Sequence, residues 1–171
     1  MAVAAEYHNG ALRLSLAATP RRGRWFAAKV AAIAVPTLLV SLPAALAALL
    51  AARAGLGPAA GGLTAAEQIR GVVGGGVYLT LMALLAAGVA TVLRSGVATL
   101  SLLIPFILIV SFVIGDGAGP VADLMPDRAG QLVLYRHHDG ILGPWTGLAV
   151  TALWAAAALL AGAWSLRRRD A

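Results

Sequence analysis

The sequence predicts an all-α polytopic membrane protein with four transmembrane helices and a cytoplasmic N-terminal amphipathic helix, and three observations predict it. Hydrophobic residues fill 60% of the 171 positions against 12% charged, with a mean hydropathy of +0.86. Soluble domains run about 45 to 50% apolar and about 25% charged. Four windows close to spanning length carry no charged residue, and Lys and Arg crowd onto one side of the arrangement that those windows impose.

Residues 1–28 form a polar, basic cytoplasmic segment ahead of a membrane domain over residues 29–171. Within it, residues 3–18 predict a short amphipathic helix, with Leu12 and Leu16 one turn apart and Tyr7 one turn before Ala11. The alternation from Leu12 to Leu16 also fits a strand, and Pro20 stops either element. Arg21, Arg22 and Arg24 followed by Trp25 and Phe26 suit the headgroup region; on charge alone this run is an ordinary positive-inside anchor. Glu6, His8, Asn9 and Arg13 interrupt the apolar core that a cleavable leader needs.

A bilayer core about 30 Å thick needs about 20 mostly apolar residues of helix. The first window, residues 30–52, carries Pro36 and Pro43, which a spanning helix tolerates when its neighbours satisfy the freed carbonyls. In the outer loop that follows, Thr64 and Glu67 have the spacing of a capping box, so the second helix begins before the membrane does. The second window, residues 72–93, holds Gly74, Gly75 and Gly76. The turn at Arg94, Ser95 and Gly96 is short enough to make the second and third spans an antiparallel hairpin. The third window, residues 97–114, has Pro105 near its centre, and the fourth, residues 146–166, is flanked by Trp145 and Trp164 at headgroup level. Between these two, residues 115–144 contain short apolar pieces at 121–125 and 131–135. They read as short helices lying at, or dipping into, the outer interface, or else as a solvated loop.

With the N-terminus inside, nine Lys and Arg fall on the inner side: Arg13, Arg21, Arg22, Arg24, Lys29, Arg94, Arg167, Arg168 and Arg169. The outer side keeps four: Arg53, Arg70, Arg128 and Arg136. That asymmetry predicts a multi-pass protein of the cell (plasma) membrane with both termini cytoplasmic.

The same composition narrows the chemistry. No cysteine is present, and at 6% aromatics there is no stacking platform for a nucleic acid partner. A phosphate-binding loop needs Gly, four residues, Gly, Lys and then Ser or Thr, whereas Val30 follows Lys29, the one lysine, so energy for any work comes from another chain. His137, His138 and Asp139 beside Arg136 could hold a metal, but sequence neighbours point apart and further ligands are missing, which favours a solvated outer loop. Polar groups within the windows are limited to hydroxyls such as Thr37, Ser41, Thr80, Thr91, Ser101 and Ser111, with the phenol of Tyr78, groups that more often hydrogen-bond a neighbouring helix than handle substrate. No charge lies mid-span, so no proton relay, no paired acid and base, no catalytic residue and no cofactor or metal site is expected. Gly71 with Gly75, and Ala158 with Gly162, have the spacing that lets helices approach closely.

Three segments carry a resemblance. EYHNGALRLSLAATPRRGRWFAAK resembles the cytoplasmic stretch of ABC transporter permeases of the type-2 exporter class, in which a Glu, a Gly and an Arg precede a Leu-Ala-x-x-Pro-x-Arg turn into a membrane helix. Glu6, Gly10, Arg13, Leu16, Ala17, Pro20 and Arg22 occupy those positions, with Ala11 where the family often has Thr. GVYLTLMALLAAGVATVLRSG is similar to the later permease span that ends in Leu-Arg-Ser, and LGPWTGLAVTALWAAAALLAGAWSLRRRDA to the last span and its basic tail. The resemblance implies a membrane subunit that hydrolyses nothing itself. Residues 5–22, with Glu6, Gly10, Arg13, Pro20 and Arg22, would dock in a groove of a cytoplasmic ABC ATPase subunit whose closure rocks the membrane helices. A second permease copy would complete the path in the bilayer. Such permeases usually have six spans, so a further pair would precede Glu6. Without the resemblance, four spans lacking a charged pathway suit a small non-transporting membrane scaffold or regulatory protein equally well.

Overall fold

Five α-helices and one 3-10 turn account for almost all of residues 22–57, 62–109, 123–136 and 141–169, which the computed structural model describes. No strand occurs among the described residues. The helices are α1 (Arg22–Leu56), α2 (Ala65–Leu93), α3 (Gly96–Leu108), α4 (Pro126–Gln131) and α5 (Pro144–Arg169), and the 3-10 turn is Leu132–Leu134. Three of them, α1, α2 and α5, are long and apolar enough to cross a membrane.

α1 begins two residues after Pro20 and runs unbroken for 35 residues, about 52 Å at 1.5 Å per residue. It therefore absorbs Arg24, Trp25 and Phe26 from the basic lead-in, with Lys29 Nζ 5.5 Å from the centre of the Trp25 ring one turn away. Pro36 and Pro43 sit inside the helix without ending it. Between them Thr37 Oγ1 donates to the Ile33 carbonyl, and buried Ser41 donates across to the Gly76 carbonyl of α2 at 3.0 Å. A hydroxyl bonded to a neighbouring helix is how a spanning segment satisfies polar groups that lipid cannot.

α2 starts as its sequence dictates. Thr64 accepts from the Glu67 N–H, and the Glu67 carboxylate accepts from the Thr64 N–H at 2.7 Å, closing the capping box. Its other end stops at Arg94, the one non-glycine residue among those described with positive φ (55°), which donates its N–H to the Ala90 carbonyl. Ser95 then caps α3, accepting from the Ala98 N–H.

Contacts fix the directions of the helices. α1 is antiparallel to α2, with Ala45 beside Gly75, Leu42 against Gly76, and Ile33 and Lys29 toward Ala87 and Thr91. α2 and α5 run parallel, since Gly88 meets Ala158 and Thr91 meets Gly162 one turn further along both. A small apolar core of Leu85, Leu103 and Ala155 ties α2, α3 and α5 together. One end of the bundle thus carries Arg24, Lys29, Arg94 and Arg168, and the other carries Arg53, Glu67, Arg70 and Arg136.

The third predicted span is described only in part. α3 covers 13 residues, about 20 Å, with Pro105 near its C-terminal end, and residues 110–114 of that window lie outside the described residues. The expected amphipathic helix over residues 3–18 lies outside them too.

Candidate functional site

Residues 123–136, in the connection between α3 and α5, are packed against the helices. Pro126 opens α4 at its first position, where its missing N–H costs nothing, and the following 3-10 turn carries Val133 inward. Val133 is 1% exposed and sits against Gly74, where a side-chain carbon on residue 74 would collide with it. Gly130 lies similarly against Tyr78, and Gly147 of α5 against Ala129. The predicted apolar pieces at 121–125 and 131–135 thus bracket a helix centred on more polar residues.

Hydrogen bonds fasten this segment on two sides. The Tyr78 hydroxyl of α2 donates to Asp127 Oδ1, and Gln131 Nε2 donates to Asp127 Oδ2 at 3.0 Å. From α5, the fully buried Thr151 hydroxyl donates to the Pro126 carbonyl at 2.8 Å, and Trp154 Nε1 donates to the Leu124 carbonyl at 3.0 Å. Thr151 lies seven residues into α5, so the segment reaches about 10 Å along the bundle from that helix's N-terminal end.

The charge inventory changes as a result. No carboxylate belongs to the middle of a predicted span, yet Asp123 and Asp127 are buried, at 8% and 3% exposure, because the connecting segment carries them inward. The donors from Tyr78 and Gln131 contribute the compensation that a buried carboxylate needs. The signal for this helix was in the sequence: Pro126 followed by Asp127 is a helix-start pattern.

Above Tyr78 lies a cleft of about 350 Å³ walled by α1, α2 and the inserted segment, with Leu49, Gly71, Leu79 and Leu134 among its apolar residues. Its polar rim includes Glu67, Gln68, Arg70 and Arg136. Arg136 Nε pairs with Glu67 Oε1 at 3.0 Å, and Arg136 NH2 donates to the Gly62 carbonyl at 2.6 Å. Arg70 makes one bond, from NH2 to the Tyr135 carbonyl at 3.1 Å, and its Nε is buried without an acceptor.

Of the residues expected to contact an ATPase, Arg22 is the first residue of α1, while Glu6, Gly10, Arg13 and Pro20 lie outside the described residues. His137, His138 and Asp139 lie outside them as well, and no group of three or more His, Cys, Asp or Glu suited to a metal occurs among those described. The two small-residue pairs have different surroundings. Ala158 and Gly162 make the close contact with α2, whereas Gly71 faces open space and Gly75 meets Leu134 and, on α1, Ala45. No protein-family model matches the chain, and no curated protein or solved structure matches it either.

Proposed function

We propose that the chain is a four-pass permease subunit of an ATP-driven ABC exporter in the cell membrane. Both of its termini are cytoplasmic, it couples to a separate ATPase chain, and it works beside a second permease copy. The observation that carries this reading is the direction of α1. Its first residue, Arg22, is at the end of the bundle that also holds Arg24, Lys29, Arg94 and Arg168, the basic end expected to face the cytoplasm. The segment with Glu6, Gly10, Arg13 and Pro20 joins the chain there, on the side where an ATPase would be met.

The parallel course of α2 and α5 supports the fourth pass. α2 ends at the basic end and α5 starts at the opposite one, so the chain between Arg94 and Pro144 has to travel the height of the bundle, and α3 supplies about the first 20 Å. The chain's own residues would transmit force as a lever: motion applied at Arg22 passes along α1 to α2 through Ser41 and Gly76.

Co-purification of the tagged full chain with an ABC ATPase encoded beside it tests the reading. The ATPase is expected to be retained by the wild type and largely lost with Glu6→Ala or Arg13→Ala. Unchanged retention in both variants overturns the coupling role and leaves the scaffold reading.

A further inference from the structure

We propose that the outer cleft between α1, α2 and the inserted segment holds one anionic membrane lipid, with its phosphate on Arg70 and an acyl chain along the apolar walls. This inference requires that the helices cross a bilayer; it does not require that the chain meets an ATPase.

Arg70 is the first reason. It is partly buried, forms no ion pair, and has one hydrogen bond, to the Tyr135 carbonyl, with Nε left without an acceptor. A cation withdrawn from water and lacking a counter-ion is costly, and a guanidinium is the side chain best shaped to take an anionic oxygen in two bonds. Its neighbour Arg136 lacks this need, because Glu67 and the Gly62 carbonyl already engage it. With two arginines and one glutamate, the rim keeps an excess positive charge.

The gradient of polarity is the second reason. Arg70 lies eight residues before Tyr78 on α2, about 12 Å nearer the outer end, and the walls below it are Leu49, Gly71, Leu79 and Leu134. Charge at the water end and hydrocarbon below match an amphiphile lying along the membrane normal. A volume of about 350 Å³ is also within the range of small-molecule pockets, about 300 to 1,000 Å³. Gly71 shows that the space is real: a side-chain carbon built there meets no atom within 4 Å. Inorganic phosphate would use Arg70 alone and gain nothing from these walls.

Native mass spectrometry of the full chain, purified in mild detergent with phosphatidylglycerol or phosphatidylcholine added, tests the proposal. One phosphatidylglycerol per chain is expected, held about tenfold more tightly than phosphatidylcholine. Gly71→Leu, and Ala48→Phe from the opposite wall, should both abolish retention, whereas Gly55→Leu, which adds bulk to an open position outside the cleft, should keep it. Arg70→Gln should erase the preference between headgroups. Circular dichroism and thermal melts establish that each variant is folded. Wild-type retention in both cleft-filling variants, an intact headgroup preference in Arg70→Gln, or displacement of the lipid by excess inorganic phosphate overturns the proposal.

Discussion

Gly88 of α2 lies directly on the main chain of α5 at Ala158, so that a side-chain carbon on residue 88 would stand 2.6 Å from the Ala158 carbonyl carbon. Backbone cannot step aside as a flexible side chain can. Gly88→Ala is therefore expected to force α2 and α5 apart and to lower stability by about 1 to 3 kcal/mol, the usual cost of overpacking. Thermal unfolding followed by the fluorescence of the four tryptophans checks this. Gly71→Ala, also on α2 but facing open space, should leave the melting temperature unchanged or raise it, because a mid-helix glycine costs about 1 kcal/mol relative to alanine. Equal losses in both variants would mean that α2 and α5 do not touch at Gly88.

The Tyr78 hydroxyl and the Gln131 amide both donate to the buried Asp127 carboxylate. Tyr78→Phe keeps the ring against Gly130 and removes the donor, leaving a buried acceptor under-satisfied at a cost of about 1 to 3 kcal/mol. That loss should be local, loosening the inserted segment. A Val133→Cys reporter, 1% exposed in the intact protein, is expected to react with a thiol reagent faster in the Tyr78→Phe background. Equal reactivity in the two backgrounds would show that the hydrogen bond does not hold the segment down.

What the sequence made legible follows from which interactions are local. The capping box at Thr64 and Glu67, the stop at Arg94 and the three long apolar helices are written in spacing and composition over a few residues, and each is found in the structure. Asp127 was not legible as a buried group, because its burial depends on Tyr78, 49 positions away, and on Thr151 of α5 bonding the adjacent Pro126. A window scan asks whether charge lies inside a span, and a connecting segment that folds back between spans escapes that question. Gly71 and Gly75 are a parallel case: their spacing is that of a close helix contact, but only Gly75 lies against α1, at Ala45, and against Leu134, while Gly71 opens on the cleft.

Thr64 carries a further prediction. Its hydroxyl accepts the Glu67 N–H at the exposed start of α2, so Thr64→Ala should cost about 1 kcal/mol and fray the first turn, while Thr64→Ser, which keeps the acceptor, should not. Hydrogen exchange of the amides at residues 65–68 reads the fraying directly. Protection equal in Thr64→Ala and wild type would mean that packing, not the cap, holds this end.

The path from α2 to α5 gives the sharpest test of how many times the chain crosses the membrane. α2 and α5 descend side by side, so the end of α2 and the start of α5 stand at opposite ends of the bundle, and the stretch that begins with α3 has to join them. The absence of cysteine from the chain makes single-cysteine reporters clean. Ala66→Cys at the start of α2 and Ile141→Cys before α5 are expected to react with a membrane-impermeant maleimide added to intact cells. Val97→Cys, 73% exposed at the start of α3, should react only after the membrane is opened, because it follows Arg94 at the basic end. If Val97→Cys and Ile141→Cys label from the same side, the stretch between them does not cross, and the chain makes three passes with its two ends on opposite faces.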